Sequence, residues 1–190
     1  SSRGKYVATG KIAAHPLDVD LRLRRPALRF VGLRSTPGHD AEARYGNGNR
    51  PIHEGRPQLI LVDGWCLGAS AQPDGELSSP INAIETKEDD RGKWRRAVNE
   101  QLTLPYALAF ARFDAILYLR APDFGVIHDW RCEQEEGLLS RDLTSADRRR
   151  IALFVQHFER ITRHMMSGGR RADIEVQLDS RRNVTEVKRT

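Results

Sequence analysis

The stretch that decides the fold is residues 58–68, which read QLILVDGWCLG. An unbroken apolar run from Leu59 to Val62 stops at Asp63 and is followed at once by Gly64. A strand that is buried on both faces of a parallel sheet needs such a continuous run, because helices cover both sides of the sheet. The stretch therefore predicts a central strand of an α/β sheet.

Asp63 is the polar residue at the end of this predicted strand. In open α/β sheets ligands bind beyond the carboxyl ends of the strands, so Asp63 would stand where chemistry usually takes place. The alternative is that Asp63 only caps the following turn, in which Gly64 supplies a positive φ. The spacing by itself favours neither interpretation.

Length and composition restrict the class of protein. The 190 residues, 39% of them hydrophobic, suffice for one domain with an appendage. No stretch approaches the roughly 20 apolar residues that cross a bilayer, and no apolar signal region follows the basic start. Cys66 and Cys132 are the only cysteines. Because they form no disulfide framework and no CxxC pair, we expect reduced thiols in a cytoplasmic protein without membrane association.

The positive net charge of the chain is concentrated near the N-terminus. Residues 1–58 contain eleven basic and five acidic residues, whereas the remainder contains 20 basic and 21 acidic residues. A basic patch on a folded face would indicate nucleic-acid binding. Here the excess lies in a stretch rich in Gly and Pro, which argues against a nucleic-acid partner. We expect residues 1–56 to form an irregular basic leader and residues 57–190 to form the folded domain.

Beyond Asp63 the pattern alternates between helices and strands, which indicates an α/β sheet flanked by helices. Residues 115–119 (AILYL) predict a second strand, and residues 174–178 and 184–187 predict a terminal hairpin. Thr144 and Asp147 form a capping box at the start of a long helix.

Further helices are predicted between the two apolar strands. Pro80 suits the first position of one helix. Asp89 or Asp90 opens another, and Pro105 breaks it. Near the middle of the chain Arg131 lies on the otherwise apolar side of its helix. A cation there is either an internal salt-bridge partner or a ligand for an anion.

A phosphate-binding loop of the form GxxxxGK[ST] is not present in the sequence. The nearest stretch is residues 4–12, GKYVATGKI, in which the two glycines stand one residue too far apart and Ile12 replaces the hydroxyl residue. We also expect no strand before it, and interpret it as a chance GK pair. The six histidines show no metal-binding spacing.

Four stretches, in this order, resemble the glycerate kinase-like family of P-loop kinases, relatives of uridine kinase and pantothenate kinase. The first stretch is LILVDGWCLGA at residues 59–69, and the second is SPINAIETKEDDRGKWRRAVNEQLTLPY at residues 79–106. The third is AILYLRAPDFGVIHDWRCEQE at residues 115–135, and the fourth is FVQHFERITRHM at residues 154–165.

The resemblance implies an α/β fold with a P-loop kinase-like parallel sheet flanked by helices, here lacking the recognisable N-terminal strand and phosphate loop. It also implies ATP and Mg²⁺ as cofactors. Asp63 and Gly64 would lie near the nucleotide phosphates, with Asp63 holding the metal and Arg131 approaching the transferring phosphoryl group. The residues that the resemblance places at the acceptor pocket are Trp65, Asn82, Arg95, Asn99 and Tyr106.

Two functions follow as hypotheses. The first is an ATP-dependent kinase acting on a small hydroxy acid such as D-glycerate, or an inactive truncated relative of one. The second is a non-catalytic α/β module whose basic leader binds an acidic partner or nucleic acid. In either case an exposed sheet edge could pair with a second copy, so we expect a homodimer.

Overall fold

The computed structural model describes the backbone of residues 7–9 and the whole of residues 61–190. The chain divides into two compact units, Ser1–Trp65 and Cys66–Thr190, each of which has its own sheet. The predicted boundary between residues 1–56 and 57–190 lies outside the described residues, and so does the predicted irregular leader apart from residues 7–9. Both stay predictions.

The described part of the first unit contains two parallel strands, β1 (Val7–Thr9) and β2 (Leu61–Asp63), whose last residues are partners in the register. β1 lies inside the stretch GKYVATGKI, between its two glycines, and the expectation of no strand before this stretch falls on residues outside the described ones. The predicted burial on both faces is wrong for Leu61, whose side chain is half exposed. Among the described strands β2 pairs with β1 alone.

The second unit contains a three-stranded sheet in the order β3 (Leu117–Arg120), β4 (Ile174–Leu178) and β5 (Val184–Arg189). β3 and β4 are parallel and β4 and β5 are antiparallel, so the predicted terminal hairpin is confirmed. The Asp179 carboxylate closes the hairpin turn, because it accepts hydrogen bonds from the backbone N–H groups of residues 181 and 183, each at 2.8 Å.

Three short helices follow a 3₁₀ helix (Asp74–Leu77), namely α1 (Ala83–Glu88), α2 (Lys93–Thr103) and α3 (Pro105–Phe110). Pro80 was predicted to begin the first helix, but α1 begins at Ala83 because the Asn82 side chain caps it. Pro105 separates α2 from α3, as predicted, and occupies the start of α3, where its missing N–H has no intrahelical partner to lose.

Two longer helices, α4 (Gly125–Leu139) and α5 (Ser145–Met166), pack against each other. The predicted capping box at the start of α5 is confirmed, since Thr144 and Asp147 exchange hydrogen bonds between side chain and backbone. A core of Cys132, Leu143, Ile151 and Val155 lies where the two helices meet. Burial of this apolar surface is what fixes the helix pair.

Gly68 lies against the backbone of Arg171, which follows the end of α5. Its φ is +83°, and a Cβ at this position would lie 2.5 Å from the backbone oxygen of Arg171. The Arg171 N–H donates to the Gly68 carbonyl oxygen at 2.7 Å, and the Ser70 N–H donates to the Gly169 carbonyl oxygen at 3.1 Å. Only glycine allows this approach of two backbones, which fixes Ser70 beside the end of α5.

The alternation of strands and helices confirms the predicted α/β class. Within the described ranges, 7–9 and 61–190, no helix is long and apolar enough to cross a membrane.

Candidate active site and the cleft between α2 and α5

Asp63 is the last residue of β2 and pairs in the register with Thr9 of the parallel strand β1. Its side chain is exposed, so the carboxylate at the carboxyl end of the strand is open to a ligand. Gly64 and Trp65 follow it within the same unit. The strand-end position predicted for Asp63 is therefore present. Arg131 belongs to the second unit, and its surroundings are described within that unit.

A magnesium ion bound with a nucleotide needs few protein ligands, because phosphate oxygens and water complete its octahedral shell. The described part of the chain has no group of three or more His, Cys, Asp or Glu side chains that could hold a metal. A single exposed carboxylate at a strand end nevertheless fits a Mg²⁺ ion that arrives with phosphates. The donor chemistry at Asp63 is thus compatible with Mg-ATP.

Arg131 lies on α4 and is only 12% exposed. Its guanidinium donates to the side chains of Gln134 and Glu135, one turn further along the helix. The same guanidinium stands 5.4 Å from the centroid of the Phe154 ring on α5. Of the two alternatives that the sequence left open, the structure shows the internal salt bridge, and an anion would have to compete with Glu135 for this cation.

Asn82 and Tyr106, two of the predicted acceptor-pocket residues, have partners within the fold. The Asn82 amide caps α1 and donates to the Gln156 carbonyl oxygen at 2.9 Å, which ties α1 to α5. Tyr106 is buried and stacks on Phe110 with the ring centroids 5.8 Å apart. Burial also raises the pKa of its hydroxyl. The Asn82 side chain joins two helices, the Tyr106 ring packs within α3, and neither lines the cleft described below.

Arg95 and Asn99, on α2, are buried and also have structural partners. The Arg95 guanidinium donates to Asp89 Oδ2 at 3.1 Å and to the Leu77 carbonyl oxygen at 2.7 Å. The Asn99 amide bonds to both backbone groups of Gln72, accepting at 2.7 Å and donating at 3.0 Å. These two residues anchor the loop before α1 and the start of α2.

Asp89 or Asp90 was predicted to begin the second helix, but α2 begins at Lys93. The Asp89 side chain caps α2 from a position four residues before its start. Its carboxylate accepts from the backbone N–H groups of Trp94 at 2.7 Å and Arg95 at 3.0 Å. Burial would raise the pKa of this carboxyl, but the hydrogen bonds and the Arg95 charge outweigh burial and lower the pKa. Asp89 is therefore a structural carboxylate in its ionised form.

The buried ion pair between Glu85 and Arg160 was missed by the sequence analysis. Arg160 Nε donates to Glu85 Oε1, and Arg160 Nη2 donates to Glu85 Oε2, each at 2.7 Å. The guanidinium also donates to the carbonyl oxygens of Glu76 and Ser79. The two residues lie 75 positions apart, so no local pattern in the sequence indicated the pair.

A cleft lies between α2 and α5 and contains about 350 Å³ of empty space, including the part open to solvent. Arg95 and Asn99 are the two predicted acceptor-pocket residues that the structure brings together here. None of the lining residues is acidic. The others that line the cleft are Ser70, Gln72, Trp94, Val98, Leu102, His157, Arg160, Ile161 and His164.

Comparison with solved structures relates this arrangement to known proteins. D-glycerate 3-kinase from Cryptococcus neoformans var. grubii matches with a TM-score of 0.56 and 12% sequence identity, over 74% of this chain and 52% of its own. The chain shares its fold with this kinase over the matched part. The structure of the YGR205w protein matches with a TM-score of 0.47 and 18% identity, over 74% of this chain and 50% of its own.

The chain spans about half the length of these two solved structures. No family model matches the sequence, and no curated protein matches it either. The kinase-like fold that the sequence resemblance implied is therefore confirmed by structural similarity. At this identity the similarity concerns the fold alone.

Proposed function

We propose that the chain is an ATP-dependent phosphotransferase that acts on the hydroxyl group of a small hydroxy acid such as D-glycerate. The observation that carries the proposal is the structural similarity to a D-glycerate 3-kinase over 74% of the chain. The exposed carboxylate of Asp63 at the carboxyl end of β2 supports it, because that end of a parallel strand is where α/β proteins bind ligands.

In this proposal Mg-ATP, when bound, supplies the phosphoryl group and the metal charge that offsets its negative oxygens. Asp63 would hold the Mg²⁺ ion through water, and the absence of a side chain at Gly64 leaves its backbone open to the phosphates. Arg131 would stabilise the negative charge of the transferring group, with Gln134 and Glu135 fixing the plane of its guanidinium. The protein contributes mainly positioning and charge.

The test is ATP turnover with a panel of small hydroxy acids, followed as ADP release. Asp63→Asn keeps the size of the side chain and removes its charge, so we expect turnover to fall by about 100-fold or more. Asp129→Asn is the matched control, because Asp129 is 77% exposed on α4 and stands outside the proposed machinery. Its turnover should equal that of the wild type.

Binding of Mg-ATP by titration calorimetry separates the outcomes. Turnover that needs Asp63 but not Asp129 supports the proposal. Turnover that is unchanged in Asp63→Asn contradicts the role of Asp63. If the wild-type chain binds no ATP at millimolar concentration and turns over no acid in the panel, the kinase proposal itself is wrong.

A further inference from the structure

The strand β5 forms one edge of the three-stranded sheet in the second unit. It pairs with β4 on one side, and no other strand within residues 7–9 and 61–190 pairs with it on the other side. All six residues of the strand, Val184–Arg189, are exposed. An exposed edge presents backbone N–H and C=O groups to which another strand can bond. β5 can therefore extend the sheet if a complementary strand approaches it.

The hydrogen bonds to β4 decide which backbone groups of β5 point outwards. The Thr190 N–H donates to the Asp173 carbonyl oxygen at 3.3 Å, and these two residues continue the register of β4 and β5. Such bonds recur at every second residue of an antiparallel pair, so Lys188 bonds towards β4 as Thr190 does. Val187, between two such residues, directs its N–H and C=O groups to the open edge. It can thus exchange two hydrogen bonds with a residue of another strand.

The charges of β5 are arranged symmetrically about Val187. Glu186 precedes it and Lys188 follows it, and both charged side chains lie on the same face of the sheet, where Lys188 Nζ is 2.8 Å from Glu186 Oε2. If a second β5 lay antiparallel to the first with the two Val187 residues opposite each other, each Glu186 would stand opposite the Lys188 of the other copy. Opposite charges on directly opposed residues stabilise a pair of strands.

The same pattern disfavours the neighbouring registers of such a pair. A shift of one strand by two residues would oppose either the two Glu186 or the two Lys188 side chains, and like charges directly opposite each other destabilise the pair. A shift by one residue would put Val187 opposite a charged residue and mix the apolar face of one strand with the charged face of the other. The sequence of β5 therefore selects the register in which Val187 lies on a two-fold axis.

The other face of the sheet carries apolar side chains in the matching register. Leu119 of β3, Val176 of β4 and Val187 of β5 are partners across the three strands. Val176 is buried, whereas Leu119 and Val187 are 60% and 61% exposed. In the paired sheet Val187 would contact the Val187 of the second copy, so one apolar row would cross both sheets. Burial of the two valines adds to the hydrogen bonds and the charge pairs.

We propose that two copies of the chain pair along β5, antiparallel about a two-fold axis at Val187, and join their three-stranded sheets into one. The partner is a second copy because β5 is complementary to itself in charge, as a two-fold interface requires. The proposal gives the expected homodimer a surface and a register, and it is independent of the proposed kinase activity. One pair of strands buries less surface than a tight complex does, so we expect a dissociation constant on the order of 0.1 mM.

The experiment measures the molar mass of the full chain by sedimentation equilibrium between about 10 µM and about 1 mM, where the mass should rise towards that of two chains. Lys188→Glu and Glu186→Lys each convert both cross-strand charge pairs into pairs of like charge. We expect each variant to weaken dimerisation by about 10-fold or more. Lys87→Glu is the matched control, because it makes the same change at an exposed position of α1, and it should dimerise as the wild type does.

Mixing the two charge variants tests the register itself. In a mixed pair the β5 strand of the Lys188→Glu variant carries two acids and that of the Glu186→Lys variant carries two bases, so both opposed pairs attract each other again. We expect an equimolar mixture to dimerise at least as strongly as the wild type, whereas each variant alone does so about 10-fold more weakly or worse. The rescue requires that residues 186 and 188 face each other across the interface.

Three results would overturn the proposal. The first is a wild-type chain that keeps the mass of one copy up to about 1 mM. The second is a dimer that persists equally in both charge variants, because the copies would then meet at another surface, such as the edge of β3. The third is a mixture that dimerises no better than the separate variants. Glu186 and Lys188 are 46% and 50% exposed, so their replacement should not unfold the chain, and equal urea midpoints would verify this.

Discussion

Replacement of Arg160 by methionine tests the buried ion pair on which the arrangement of α1 and α5 depends. The side chains of Arg160 and Glu85 are only 8% and 3% exposed, and two hydrogen bonds of 2.7 Å join them. Methionine keeps much of the length of the side chain and removes the charge. Glu85 would then be a buried carboxylate without its cation, which costs about 3–5 kcal/mol of folding free energy.

The assay is urea unfolding followed by far-UV circular dichroism at neutral pH. With a urea dependence of about 2 kcal/mol per molar, the midpoint should fall by about 2 M. Arg163→Met is the matched control, because it makes the same change on the same helix where Arg163 is 57% exposed and pairs with Glu159. An exposed pair contributes about 1 kcal/mol or less, so the control midpoint should move little.

A second substitution decides whether the uncompensated charge is the cause. Adding Glu85→Gln to Arg160→Met removes that charge and leaves a neutral side chain, whose unpaired groups cost about 1–3 kcal/mol. The double variant should therefore be more stable than Arg160→Met alone. If it is equally stable or less stable, or if Arg160→Met costs no more than Arg163→Met, the reasoning about the buried pair is wrong.

Three further predictions concern a glycine, the ionisation of buried acids and the thiols. Gly68→Ala should destabilise the chain by about 1–3 kcal/mol, because φ is +83° and the added Cβ would meet a backbone oxygen at 2.5 Å. Gly137→Ala is the matched control, because Gly137 lies in α4 and a Cβ added there would meet no atom within 4 Å. This variant should be as stable as the wild type or more stable by up to about 1 kcal/mol. Equal urea midpoints for Gly68→Ala and Gly137→Ala would contradict the prediction for Gly68. The free energy of unfolding should fall as the pH drops below about 4. Burial opposes ionisation of Glu85, but Arg160 outweighs burial and lowers the pKa of Glu85 in the fold, so at this pH the unfolded chain binds more protons than the folded chain. Glu85→Gln should flatten this pH dependence, and an unchanged slope in that variant would refute the prediction. Burial raises the pKa of the Cys66 thiol to about 12 and also raises the pKa of the Cys132 thiol. A thiol reagent should therefore label the native chain at least about 100-fold more slowly than the urea-unfolded chain. Rapid labelling without urea would contradict this prediction.

The elements that the sequence predicted correctly are those with a local signal. The helix α5 has a capping box at Thr144 and Asp147 and a long amphipathic pattern, and both are read from neighbouring residues. The terminal hairpin has alternating residues on either side of the turn that Asp179 closes. The start of α1 was misplaced because Pro80 and Asn82 both suit a helix start, and contacts with α5 favour Asn82.

The candidate site shows the same division. The position of Asp63 at a strand end was predictable, because the apolar run and the following glycine are adjacent in sequence. The resemblance placed Arg95 at the acceptor pocket, but in the structure its guanidinium bonds to Asp89 and to the Leu77 carbonyl oxygen. The spacing of residues in the sequence does not indicate these partners. The cleft itself was not predicted, since its walls come from α2 and α5, which meet only in the folded chain.

The sequence by itself determined the α/β class, the kinase-like order of its motifs and the acid at the end of β2, because each of these depends on residues that are close along the chain. Only the tertiary structure decided that Glu85 pairs with Arg160 across 75 positions and that Trp94, His157 and His164 line one cleft. Such contacts arise when helices pack, and packing depends on the complementary shape and charge of surfaces that are far apart in sequence.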